Sequence, residues 1–123
     1  MPLLILPESV ARQNGTGAEI ALDANRGKPL LLKLGITRIL EQESLEVSIL
    51  GSSDRRNWRS LQVFPQKFYC GTYALPLDLT RFPEIRYIRA QWKMNRWGRG
   101  ETTPLFGFYL HAEEPKLHAV GAA

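Results

Sequence analysis

The stretch Ile85–Gly100, IRYIRAQWKMNRWGRG, sets Arg86, Arg89, Lys93, Arg96 and Arg99 among Tyr87, Trp92 and Trp97, with no acid between them. Guanidinium groups fork onto carboxylates and phosphates, and indole rings stack on sugars, bases and other planar groups. In an extended chain Tyr87, Arg89, Gln91 and Lys93 share one side, in a row with a repeat of about 6.6 Å. Such a row can track an acidic partner surface, and Trp97, Arg96 and Arg99 beyond it can meet a ligand from a loop. Arg55, Arg56 and Arg59 make a second basic group thirty residues earlier.

Catalytic and metal chemistry find less support. His111 and His118 have no carboxylate or nucleophile beside them at a useful spacing, and Cys70 would need a long-range encounter to form a dyad. Glu41, Glu43 and Glu46 could join Asp54 or Asp23 around calcium, but no dense oxygen-rich glycine turn accompanies them. No phosphate-binding glycine loop, CxxC pair or HExxH helix occurs. A non-enzymatic chain without catalytic residues, resident metal or cofactor is expected.

The elements that must hold the basic row are strands. Leu45, Val47 and Ile49 alternate with Glu46 and Ser48, the period-two signature of a half-buried strand. Ser52, Ser53, Asp54 and Asn57 then supply a turn, and Trp58 opens the return through Phe64, where Pro65 should end it. The same alternation predicts strands over Glu19–Asp23, Pro29–Leu40, Phe68–Leu79, Ile85–Met94 and Pro104–Ala112. Leu3–Leu6 is a short edge strand closed by Pro7, and Val10–Gly17, with the Asn14-Gly15-Thr16 sequon, reads as a polar loop. Asn95–Thr103 reads as a basic loop, and residues 113–123 as a tail of one domain spanning 1–123.

About eight short strands without a helical period mean an all-β fold, a single antiparallel β-sandwich of jelly-roll or immunoglobulin-like topology. The expected core is Ile20, Leu22, Leu32, Leu34, Leu45, Val47, Ile49, Trp58, Ile88, Trp92, Phe106, Phe108 and Leu110. With 123 residues the chain can bury roughly two thirds of its unfolded surface. One cysteine excludes an internal disulfide framework and fits a reducing compartment. The opening MPLLILPESV lacks a basic start and a long apolar run, so a cytoplasmic product without signal peptide or membrane span is expected. The formal charge of +4 is concentrated in Ile85–Gly100, and Glu84 and Glu101 bracket that stretch, which makes nucleic acid the weakest candidate partner.

Three segments taken in order carry a resemblance: the Ser-Ser-Asp…Asn-Trp turn of Ile49–Trp58, IRYIRAQW over Ile85–Trp92, and PLFGFY over Pro104–Tyr109. They resemble small β-sandwich structural proteins of phage and prophage assemblies. There a Ser-x-Asp-Gly-x-x-Trp turn precedes an Arg-Tyr-x-Arg strand and a Pro-x-Phe-x-Phe strand. The turn glycine of that pattern is Arg55 here. The turn and the Arg-Tyr-x-Arg strand are also similar to discoidin-like, galactose-binding-type sandwiches. The first resemblance implies a structural, self-assembling subunit of a virion-like particle, filament or extracellular surface assembly. Its partners would be copies of itself or other subunits, held through sheet edges and the Tyr87, Arg89 and Lys93 face. The second implies a carbohydrate-binding module in which the loop residues Trp97, Arg96 and Arg99 meet a glycan, with Arg55 as an optional further contact.

Overall fold

The computed structural model describes residues 3–39, 43–96 and 105–114, with Arg96 described by its backbone only. Nine strands lie among these residues: β1 (Leu3–Ala11), β2 (Gly15–Thr16), β3 (Ile20–Ala21), β4 (Pro29–Ile39), β5 (Glu43–Ser52), β6 (Arg59–Lys67), β7 (Gly71–Asp78), β8 (Tyr87–Arg96) and β9 (Phe106–Glu113). One sheet has the order β1-β9-β4-β7, and the other runs β2-β8-β5-β6 with β3 also on β8. All pairings are antiparallel. With β2 and β3 taken as one interrupted strand, every connection except the β5–β6 hairpin crosses between sheets. That is the double Greek key of a jelly roll, and it excludes the immunoglobulin alternative.

Alternation along the strands builds the interior as expected. Leu22, Leu32, Leu34, Leu45, Val47, Ile49, Ile88, Phe106, Phe108 and Leu110 are buried, joined by Ile5, Leu30, Leu77, Leu79 and Ile85. Trp92 of β8 reaches across the interior, its ring edge-on to Phe108 of β9 at 5.6 Å and 75°. Its indole Nε1 donates to the Gln13 carbonyl at 2.9 Å, and Asn14 Oδ1 accepts from the Met94 N–H at 2.7 Å. The polar Asn14 turn is thereby fastened to the middle of the second sheet. Gly15 passes under the ring at a distance where a Cβ would meet Trp92 Cζ2 at 2.7 Å.

Trp58 departs from the expected core. It is half-buried and absent from the interior cluster. The ladder between β5 and β6 slips between Ile49–Gln62 and Leu50–Ser60, so Leu61 is an extra residue. A bulge inverts the phase of the pleat, so Trp58 and Phe64, which share parity in the sequence, point to opposite faces. Glu43 departs in the other direction. It is only 1% exposed and opens β5, although an acid is among the residues least often fully buried.

Two prolines expected to end strands lie inside them. Pro7 sits within β1, inside the register slip between Leu6 and Ser9, and Pro65 sits within β6, where Pro65 and Gln66 together face Glu46. Pro76 is within β7, and its carbonyl accepts from Gln62 Nε2 of β6 at 2.7 Å. All three strands are sheet edges, where a missing N–H leaves no ladder bond broken. The fourth edge is β2 and β3, each two residues long. Prolines, bulges and short pieces are the features that stop strand edges from recruiting further strands. These edges are therefore poorly suited to the edge-to-edge contacts the sequence suggested, and the sheet faces and loop ends remain for docking.

Candidate interaction face

The β8 strand pairs along its whole length with β5, from Ser52–Tyr87 to Glu43–Arg96. Ile88 and Ala90 turn inward and are buried, which leaves Tyr87, Arg89, Gln91 and Lys93 as the expected outward row. Ser52, Leu50, Ser48 and Glu46 stand opposite them on β5.

Arg55 joins this row through the turn after β5. Ser52 Oγ accepts the N–H groups of Asp54 (3.2 Å) and Arg55 (2.8 Å) and donates to Asp54 Oδ1. That oxygen also accepts the N–H groups of Arg56 and Asn57, both at 2.9 Å, while the Asn57 side-chain amide donates to Oδ2. Such local side-chain bonds fix a tight turn without any long-range packing. They let Arg55 take φ +66, a left-handed conformation in which glycine is the usual residue. Its Nε donates to Glu19 Oε1 at 2.7 Å, and its guanidinium lies 5.3 Å from the centre of the Tyr87 ring.

Arg89 lies two residues along β8 and repeats the arrangement. Its guanidinium sits 4.1 Å from the centre of Trp58, and its Nη1 is 3.8 Å from Glu19 Oε2. One carboxylate thus stands between two arginines, each laid over an aromatic ring. Arg89 Nε is shielded from water and meets no hydrogen-bond acceptor among the described residues. A hollow of about 280 Å³ opens beside Trp58, between Ser53 and Asn57 on one side and Glu84 and Ile85 on the other. The Arg59–Glu84 ion pair, at 2.7 Å, crosses its rim.

The Asp54 carboxyl is held well below the usual carboxylate range, first by the Asn57 and Arg56 backbone donors and then by the side chains of Asn57 and Ser52. A depressed value means that the folded turn favours the ionised form. Its contribution to stability is complete above the ordinary carboxylate value of about 3.9 and is lost as the pH falls through the folded value. Carbon-13 spectra should show the Asp54 carboxyl still ionised near pH 3, where ordinary carboxylates have largely titrated. A midpoint near 4 would contradict the hydrogen-bonded cage.

The structure therefore unites Tyr87, Arg89 and Arg55, extends the row to Lys93, and adds Trp58 and Glu19, which the sequence pattern had not assigned to it. Arg96 lies at the far end of β8, nine residues and about 30 Å from Tyr87. Arg55 and the Arg96 backbone consequently stand at opposite ends of the sandwich, so Arg55 does not join Arg96 in one site. Trp97 and Arg99 fall outside the described residues. Glu41 and His118 also lie outside the described residues, and the described members of the other clusters considered are dispersed. Glu43 and Asp54 flank opposite ends of β5, and His111 stacks on Tyr109 while Cys70 lies exposed in the turn between β6 and β7. Among the described residues no group of three or more potential metal ligands comes together, and no helix is long and apolar enough to cross a membrane.

No family model matches the chain, and no curated protein matches it. Among solved structures the chain is similar to the crystal structure of the SPBc2 prophage-derived protein YomS. The two share 10% sequence identity with a TM-score of 0.53, over 92% of this chain and 92% of that chain. A likeness at that identity is one of fold: the jelly roll is common to both from nearly end to end.

Proposed function

We propose that this chain is a non-enzymatic structural subunit of a phage-like particle or surface assembly, docked through the outer face of the β2-β8-β5-β6 sheet. The observation that carries this reading is the pair of ring-stacked arginines on that face, in a fold shared along its length with a prophage-derived protein. Arginine and large aromatic side chains are the types that dominate the buried centres of protein interfaces. The blunted edges support the same reading, because they direct contacts with copies of the chain or with other subunits onto faces and loop ends. A subunit made in the cytoplasm and carried into a virion-like assembly requires nothing more of the fold.

Co-expression with the genes that flank its own, followed by gradient sedimentation, tests the reading. The chain is expected to sediment with assembled particles. The Arg89→Glu variant, with an unchanged far-ultraviolet spectrum, is expected to stay at the top of the gradient. A wild-type chain that remains there as a 14.0 kDa monomer removes the subunit reading.

A further inference from the structure

We infer that the Arg89–Trp58 and Arg55–Tyr87 pairs form a docking site for a carboxylate-bearing segment of an acidic partner protein, with Arg89 as the anchor. The inference rests on the subunit reading above and names the partner's chemistry. Arg89 has five N–H donors. Among the described residues it finds a single carboxylate oxygen at 3.8 Å, while the other oxygen of that carboxylate is committed to Arg55 at 2.7 Å. Its side chain is 27% exposed, and Nε has neither water access nor an acceptor among the described residues. A guanidinium in this condition has already lost much of its hydration and has been oriented by the indole beneath it. An incoming carboxylate then gains a charge-assisted pair with little further desolvation and little loss of side-chain freedom.

A second observation comes from the backbone. Arg55 occupies a left-handed position that glycine fills without strain, at a cost of about 1 kcal/mol. What the chain gains there is a side chain laid over Tyr87, on the same face as Arg89. Strain held in place by a dedicated hydrogen-bond cage is the kind that accompanies recognition sites.

The sign of the partner follows from charge. The chain carries +4 overall, so two copies repel at long range, whereas an acidic subunit is attracted and steered. Protein is favoured over nucleic acid because Glu19 stands between the two guanidiniums. A phosphate track would be repelled there, while a single carboxylate can fork onto the outer edge of Arg89.

The test uses the full chain and a short neutral-capped peptide containing two glutamates, compared with its glutamine counterpart. The readout is the Arg89 side-chain Nε–Hε resonance. The glutamate peptide is expected to move it saturably and the glutamine peptide not to. Titration calorimetry, which needs no Arg89 signal, reads the variants: Arg89→Gln is expected to weaken binding roughly tenfold or more, while Arg81→Gln, at an exposed arginine in the turn after β7, leaves it unchanged. Arg89→Lys keeps the charge and most of the stem but loses the fork, so it guards against a folding defect and is expected to weaken binding too. Equal loss in the Arg81 and Arg89 variants, or an unmoved Arg89 resonance, overturns the site in favour of diffuse basic charge. Tighter binding of a single-stranded oligonucleotide than of the peptide overturns it in favour of a phosphate ligand. Particles that incorporate the chain while Arg89 ignores the peptide remove this site and leave the subunit reading standing. Peptide binding without incorporation does the reverse.

Discussion

Phe108→Ala is expected to lower the unfolding free energy by about 3–5 kcal/mol, the range for deleting a buried aromatic side chain. Phe108 is wholly buried in β9, a central strand of its sheet, where its backbone pairs with Ile36 of β4 and Ser9 of β1. Its ring meets Trp92 edge-on, and Trp92 belongs to β8 in the opposite sheet. Loss of the ring removes transfer free energy, leaves a cavity that two hydrogen-bonded sheets cannot close, and deletes an aromatic pair worth about 0.5–1.5 kcal/mol. Since whole domains of this kind are stable by about 5–15 kcal/mol, the change is a large share of the total. Urea unfolding followed by tryptophan fluorescence reads it as a lower midpoint with the slope preserved. Phe108→Leu, which fills most of the volume, should recover the greater part. A midpoint shift in Phe108→Ala no larger than that of an exposed control such as Val63→Ala would show that this ring does not hold the layers together.

Strand identity was legible because burial imposes a simple period: Leu45, Val47 and Ile49 are buried and Glu46 and Ser48 are not. Strand ends were less so, and the reason is local. Pro7 and Pro65 look like terminators, yet on a sheet edge one side of the backbone has no ladder to break. The choice of jelly roll over immunoglobulin topology was not legible at all. It depends on β9 entering between β1 and β4, a pairing between residues about a hundred and about seventy positions apart. Periodicity carries no record of such partners.

The candidate face shows the same division. Tyr87, Arg89 and Lys93 emerged as a row because period two is enough to place them. Arg55 was flagged by its charge, and its departure from the turn glycine proved to be structural: it sits at φ +66 and reaches Tyr87. Trp58 was assigned to the interior because a tryptophan that opens an apolar strand normally belongs there. Only the bulge at Leu61 reverses that, and a bulge is a misfit between two strands, so neither strand alone reveals it. Glu19 was missed for a comparable reason: its neighbours Arg55 and Arg89 come from elements that the fold, not the sequence order, brings beside it.

Glu43→Ala is expected to cost about 2–4 kcal/mol, more than any exposed acid of the chain. The residue is 1% exposed at the first position of β5, directly opposite Arg96, the last residue of β8. Its Oε1 accepts the N–H of Leu105 at 2.9 Å, one residue before β9 begins. A single buried carboxylate therefore ties the start of one strand to the lead-in of another in the opposite sheet. Alanine removes that acceptor, leaving a half-buried N–H without its partner, and also opens a small cavity beside Ser44 and Leu45. Glu43→Gln keeps an acceptor oxygen of similar shape and should lose about half as much. The distinguishing readout is amide exchange. In the alanine variant Leu105 should exchange faster by roughly tenfold for each 1.4 kcal/mol of local opening, ahead of amides in the middle of β4 and β8. Glu46→Ala, which removes an outward acid three residues along the same strand, should change neither quantity appreciably. If Glu46→Ala matches Glu43→Ala in both midpoint and exchange, the buried carboxylate is not what holds Leu105 to the start of β5.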